Sequence, residues 1–394
     1  MASVFLKCVL IASFTSSLFA CRIWGIIAKS DGDFSTLSLR EKSIVTEELQ
    51  RLYEQSAYHP AGWALLGINP KSNDPIALLE RSPDPADQNA EQYWNAANAL
   101  LTGYGTTMGI GHVRMATSGI SSIPNPHPWI FQSELGTFSL SHNGTISKSI
   151  LYDLITENGT DKSWLNQHSP QTFDTGNWEE DGWNAVVDSE LMLLLIMKHI
   201  EIKKSAYYGL LSALTALEEK GASTYQTNIV FSDERSLYVY GGRNRLSVAE
   251  SSEHFAVMSG PPSSGEAGAL NWSGIDHGEM VILSSDGMKR IPDFTKKKTE
   301  LYVKAKKFKV LRAFPNPFNS YVIVDVEIPE DEKATYAVYN LAGELVSYGI
   351  IPSRKQSMQW HPENRSGNPL PSGSYVIRIT AGGKDIRQKV LYLK

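Results

Sequence analysis

The sequence predicts two domains of different class: a mixed, mostly antiparallel α+β domain, then a small all-β sandwich. Three observations carry this. Segments with helical spacing alternate with short strand-like runs through the larger part of the 394 residues. The chain's one dense basic run, "KKKTELYVKAKKFK" from Lys296 to Lys309, then breaks the pattern. Beyond it, apolar and polar residues alternate between Pro, Gly and Asn turns, with no helical stretch.

Taken in order, "MASVFLKCVLIASFTSSLFA" has one Lys, an apolar centre and small residues near its end, which predicts a secretory leader over residues 1–20. "CRIWGIIA" reads as a strand, and "LREKSIVTEELQRLYEQSA" has the apolar spacing of a helix. "SELMLLLIMKHIEI" and "YYGLLSALTALEEKG" predict two more helices, the second stopped at Gly221. "TNIVFSDERSLYVYGG" predicts two strands around a polar turn. "FPNPFNSYVIVDVEIP", "ATYAVYNLAGELVSYG" and "GSYVIRITAGGKDIRQKVLYLK" supply the strands of the sandwich. The expected division is 21–305 for the first domain and 306–394 for the second.

Composition narrows the functional classes. With 42% hydrophobic and 20% charged residues the chain is globular rather than disordered. A net charge of -5 argues against a nucleic-acid partner, because neutralising phosphates needs a clustered basic surface. No segment after the leader reaches the ~20 apolar residues of a membrane-spanning helix. Of the two cysteines, Cys8 lies inside the leader, so the mature chain is expected to carry one thiol, Cys21, and no internal disulfide.

Four separated stretches belong together: "CRIWGI" at Cys21, "GHVRMATSG" from Gly111, "SHNGTI" from Ser141 and "DSE" from Asp188. In this order, with "HPAGWAL" at His59 and "NPHPW" at Asn125, residues 21 to about 290 resemble the stand-alone branch of the class II glutamine amidotransferase domain. The resemblance implies an N-terminal-nucleophile hydrolase with a four-layer αββα sandwich and no cofactor. It assigns the nucleophile to Cys21, oxyanion stabilisation to the Asn143 side chain and the Gly144 backbone N–H, and substrate contacts to Arg114, Thr117 and Asp188. Met115 departs from the family, which commonly has an aromatic residue there. So does "VMSGPP" near Ser259, and the long Trp-rich stretch between Asn143 and Asp188 is expected to cover or reshape the pocket.

Chemistry supports these roles. A cysteine at a chain terminus has its own α-amine as a base, with a reference pKa of about 7.7–8.0, so no catalytic histidine is required. Arg offers a carboxylate a two-pronged grip and Asp receives an ammonium, the two charges of an amino-acid head group. His59, His112, His127 and His142 have no metal-ligand spacing, so no metal is expected and they read as packing or hydrogen-bonding residues. Asn143-Gly144-Thr145 is also a glycosylation sequon, whose use would block the oxyanion donor.

The second domain has its own resemblance, to type IX secretion sorting domains, carried by "FPNPFN" at Phe314, "VYNLAGELV" at Val338, "LPSGSYVIRI" at Leu370 and the closing "KVLYLK". It implies the secretion machinery as partner and a secreted or cell-surface location. The joint expectation is an exported amidohydrolase that takes a small molecule, glutamine or a γ-glutamyl compound. It would release glutamate and ammonia through a Cys21 thioester. Cleavage of other amide bonds is an enzymatic alternative. If "LFAC" acts as a lipobox, the thiol is consumed and the protein is an anchored binding module.

Overall fold

A computed structural model describes residues 21–29, 32–116, 125, 127–172, 177–241, 246–297, 309–327, 334–351, 357–363, 368–381 and 384–394. The leader, Thr117 and the expected boundary at 305/306 lie outside these residues. The chain divides into two compact units, with the division after Lys296.

The first unit is built on two antiparallel sheets. Its strands are β1 (Arg22–Ala28), β2 (Trp63–Ile68), β3 (Ile76–Ser82), β4 (Met108–Val113), β5 (Trp129–Ser133), β6 (Gly136–His142), β7 (Ile229–Ser232), β8 (Ser236–Tyr240), β9 (Leu246–Glu250), β10 (His254–Ser259), β11 (Ser273–Gly274), β12 (Met280–Ser284) and β13 (Gly287–Ile291). One sheet has the order β11-β9-β10-β1-β4-β2-β3 and the other β13-β12-β8-β7-β6-β5. Its longer helices are α1 (Leu39–Ser56), α2 (Ala90–Thr102), α3 (Lys148–Ile155), α4 (Asp188–Lys203) and α5 (Ala206–Glu219).

The period-2 alternation of the strands sets the layers. On β1, Ile23 and Ile27 join Val230, Val239, Val257 and Val281 in the core between the sheets. Trp24, Ile26 and Ala28 point the other way, against α1 and α2 through Leu49, Leu52 and Tyr93. In the second sheet Phe231, Tyr238 and Tyr240 turn outward to α4 and α5. Two sheets face to face with helices outside both is the four-layer αββα order. Burying each of these large side chains is worth roughly 1.5–3 kcal/mol, so the alternation fixes the register. Helix α4 is apolar on nearly every side because it packs against β5, β6, α3 and α5. The Trp-rich stretch sends Trp178 into this outer core rather than over the Cys21 pocket. Among the described residues of the stretch, Gly144 and Val187, one at each end, line that pocket.

The second unit contains β14 (Lys309–Phe314), β15 (Val322–Glu327), β16 (Ala334–Tyr339), β17 (Leu345–Ile351), β18 (Ser357–Trp360), β19 (Gly373–Ala381) and β20 (Lys384–Tyr392). They form sheets of order β14-β15-β18 and β17-β16-β19-β20. One core joins Val322, Val324 and Trp360 of the first sheet to Val338, Ile377 and Val390 of the second. The motif residues make turns and staples. Asn316 Oδ1 accepts from Leu391 N at 2.8 Å, tying "FPNPFN" to the last strand. Asn340 Oδ1 accepts from Ala342 N at 3.0 Å and Glu344 N at 2.9 Å, and Gly343 takes φ 81°, a conformation few side chains adopt.

Candidate active site

Cys21 immediately precedes β1, which lies inside its sheet between β4 and β10. Pairing of Arg22 with Val113 brings the end of β4, and with it Arg114 and Met115, beside Cys21. Asn143 and Gly144 follow the end of β6, and Asp188 opens α4. Four element ends thus meet at one thiol. The cavity they enclose measures about 20 Å³, roughly the space of one water; Cys21, Arg114, Asn125, His127, Gly144 and Asp188 are among the residues lining it.

Cys21, the residue before the strand, is held firmly. Its carbonyl oxygen accepts from Asn143 Nδ2 at 2.7 Å and from Arg22 Nη1 at 3.2 Å. Ile23 N donates to Ser259 Oγ at 3.3 Å. The thiol Sγ sits against the Met115 backbone, 3.3 Å from its N and 3.4 Å from its O. Backbone atoms make this contact, so it does not depend on the side chain at position 115. Burial raises the thiol's pKa, and the Met115 hydrogen bond and the charge of Arg114 offset this only in part.

Arg114 and Asp188 are both 4% exposed and line the same cavity. Burial lowers the Arg114 pKa, while Cys21 and Asp188 act against that shift. One Asp188 oxygen, Oδ2, accepts from Ile146 N at 2.9 Å. Asn143, the acceptor residue of the sequon, is 4% exposed, so it is buried in the folded chain. Its backbone exchanges hydrogen bonds with Asn228, N to O at 2.8 Å and O from Nδ2 at 3.2 Å. Gly144 is required by space: a Cβ there would stand 2.1 Å from the Gln226 carbonyl oxygen.

The histidines pack as structural groups. His59 Nδ1 donates to Gln55 O at 2.5 Å. His142 donates from Nε2 to Gln226 O at 2.7 Å and takes Ser189 Oγ at Nδ1, at 2.9 Å. His112 and His127 meet ring to ring, Nε2 to Nδ1 at 3.1 Å, and burial pushes both well below the usual histidine range, Arg114 adding to the effect. Among the described residues no cluster of His, Cys, Asp and Glu is placed to hold a metal ion.

Of the six residues expected in the site, the structure brings five together, Cys21, Arg114, Asn143, Gly144 and Asp188; Thr117 lies outside the described residues. Met115 as backbone partner, Ser259, Asn228 and Gln226 were not expected. Asn228 stands 85 positions from Asn143, and no local spacing reveals that pairing.

Residues 312–392 match the family of secretion system C-terminal sorting domains. The chain is similar to a glutamine--fructose-6-phosphate aminotransferase [isomerizing] of Listeria innocua, 28% identical over 246 residues, which cover 62% of this chain and 34% of the relative. It is also similar to the enzyme of that name from Methanosarcina acetivorans, 31% identical over 137 residues, covering 33% of this chain and 18% of the relative. The chain therefore spans about a third or less of these relatives. A glutamine phosphoribosylpyrophosphate amidotransferase structure from B. subtilis aligns with a TM-score of 0.43 at 19% identity, covering 69% of this chain and 49% of that one. The first unit is thus homologous to glutamine amidotransferases, consistent with a class II domain, and the second is a sorting domain, which indicates type IX secretion to the cell surface or beyond.

Proposed function

From the premise of an amidotransferase-homologous unit joined to a sorting domain, we propose that this protein is an exported amidohydrolase that converts glutamine to glutamate and ammonia through Cys21. The single observation that carries the reading is the convergence of Cys21, Arg114, Gly144 and Asp188 on one cavity. Cleavage after Ala20 frees the α-amine of Cys21, which takes the thiol proton as Sγ attacks the side-chain carbonyl carbon. The amide C–N bond breaks, nitrogen leaves as ammonia with that proton, and water cleaves the resulting thioester. The oxyanion is held by Gly144 N–H and by Asn143. A side-chain amide has two N–H donors, so one can keep the Cys21 carbonyl while the other serves the oxyanion. Arg114 takes the substrate carboxylate and Asp188 its ammonium. Thr117 adds a further contact.

Arg114→Ala and Asp188→Ala test the head-group assignment. Each raises the KM for glutamine, by an amount corresponding to roughly 2–5 kcal/mol, while Asp188→Ala leaves the rate of Cys21 alkylation by a small thiol reagent unchanged. Unchanged glutamine kinetics in both variants removes the pair from the mechanism.

A further inference from the structure

Asp188 is the first residue of α4, and that helix begins without a side-chain cap. The position before it, where Ser, Thr, Asp or Asn usually caps a helix, is Val187, whose side chain accepts no hydrogen bond. The start of α4 is held from outside instead. Thr172 Oγ1 accepts from Val187 N at 3.1 Å and donates to Glu190 Oε2 at 2.6 Å. Lys148, the first residue of α3, donates from Nζ to Trp183 O at 2.5 Å and to Val186 O at 3.0 Å.

An ammonium has three donors, and two of them go here to backbone carbonyls of one short segment. The same Nζ stands over the face of the Trp183 ring, 4.7 Å from its centre, which adds attraction for a cation. Val186 and Val187 are buried, so bulk water does not replace a donor lost at Val186 O. Burial lowers the Lys148 pKa and the charge of Asp188 opposes that shift, so the two charges act on each other. Ile146 N, which donates to Asp188 Oδ2 at 2.9 Å, precedes Lys148 by one turn of chain. One segment thus bears the proposed oxyanion donors, Asn143 and Gly144, and two groups that fix the start of α4, Ile146 N and Lys148 Nζ.

We propose that Lys148 is a positioning residue for substrate selection: by holding the carbonyls of Trp183 and Val186 it sets the start of α4, and so aims the Asp188 carboxylate at the α-ammonium of an amino-acid substrate. Thr172, at Val187 N, serves the same end. The proposal rests on the glutamine reading above, in which Asp188 receives that ammonium. Lys148 itself does not line the Cys21 cavity. The Trp-rich stretch then acts on specificity through its last residues, by fixing where Asp188 stands.

The test compares two substrates of the full chain beginning at Cys21: glutamine, and glutaramate, which is glutamine without its α-amino group. In the wild type kcat/KM favours glutamine by at least about tenfold, as a hydrogen bond between charged groups implies. Lys148→Met keeps the apolar stem and removes the donors. It cuts the preference to within about threefold by raising the KM for glutamine, while kcat for glutamine and both constants for glutaramate stay within about twofold of wild type. Lys148→Arg, which keeps the charge and offers donors to both carbonyls, keeps the preference. A general loosening of the fold lowers both substrates alike. That result, or a preference that survives Lys148→Met, overturns the proposal and leaves the glutamine reading intact. A wild type that does not favour glutamine overturns that reading, and this proposal with it. If Lys148→Met does not fold, Thr172→Val, which removes the hydroxyl at nearly equal size, carries the same expectation and decides.

Discussion

Two histidine sites on the same sheet hold opposite charge states. On β10, His254 Nδ1 donates to Glu41 Oε2 at 2.8 Å, and its Nε2 lies 3.6 Å from Glu48 Oε1. Burial works against its charge, but the hydrogen bond to Glu41 and the pull of Glu48 prevail and raise it to about 9. Near Cys21, His112 and His127 face each other and Arg114, with no carboxylate among the causes of their shifts, and burial drives both well below the usual range. All three rings are buried, so the neighbours make the difference. The pair of acids on α1 makes a permanent cation that pins helix to sheet. His112 and His127 stay neutral and weakly basic, and His142 has both nitrogens engaged. The thiol's hydrogen bonds go to the Met115 backbone. The comparison supports the proposed base, the α-amine of Cys21.

The largest effect is expected at the structural site. Glu41 also accepts from Ser251 Oγ and Ser252 Oγ, both at 2.8 Å. Glu41→Ala strands a buried imidazolium and costs about 3–5 kcal/mol of stability, read from urea unfolding; Cys21 alkylation in the folded variant is unchanged. A loss below about 1 kcal/mol places the ion pair among inconsequential contacts.

A smaller effect is the pH dependence of that pair. Burial opposes the charge of Glu41, but His254, Ser251 and Ser252 hold it down from 4.5 to about 2, so its contribution is complete above pH 4.5 and is lost as pH falls towards 2. His254 is raised from 6.5 to about 9, so its contribution is complete below pH 6.5 and is lost as pH rises through 9. The pair's contribution is highest between pH 4.5 and 6.5, and falls by about 3 kcal/mol on each side. Urea midpoints across that range measure it, and Glu41→Ala flattens both limbs. A wild-type profile without either limb contradicts the charged pair.

The smallest effect is expected from His127→Gln, which replaces one neutral ring with a neutral amide. The rising limb of glutamine turnover against pH should move by no more than about half a unit. Loss of that limb makes the ring, not the amine, the base.

Much of this was legible before the structure. "CRIWGIIA" reads as a strand, and Ile23 and Trp24 fill cores on opposite sides of it. The uninterrupted apolar run of α4 is a buried helix for the same reason. Helices α2 and α3 were not foreseen, because their short apolar faces, Tyr93, Ala96 and Leu100 on one and Leu151 and Ile155 on the other, give weak periodicity. The site was legible only through residues beside strand ends. Ser259, Asn228 and Gln226 act through an ordinary hydroxyl, amide or carbonyl brought in by tertiary pairing, for which a sequence has no marker. Glu41 and Glu48 look like solvated helix charges until His254 and Trp24, whose Nε1 donates to Glu48 Oε2 at 2.8 Å, are seen beneath them.

The central claim is that removal of the leader creates the catalytic base. The most direct measurement compares glutamine hydrolysis by three purified forms: the full chain from Met1, the chain beginning at Cys21, and the chain beginning one residue earlier, at Ala20. Only the form with Cys21 first should turn over, because in the other two its nitrogen is an amide that accepts no proton near neutrality. Comparable turnover in all three contradicts the claim.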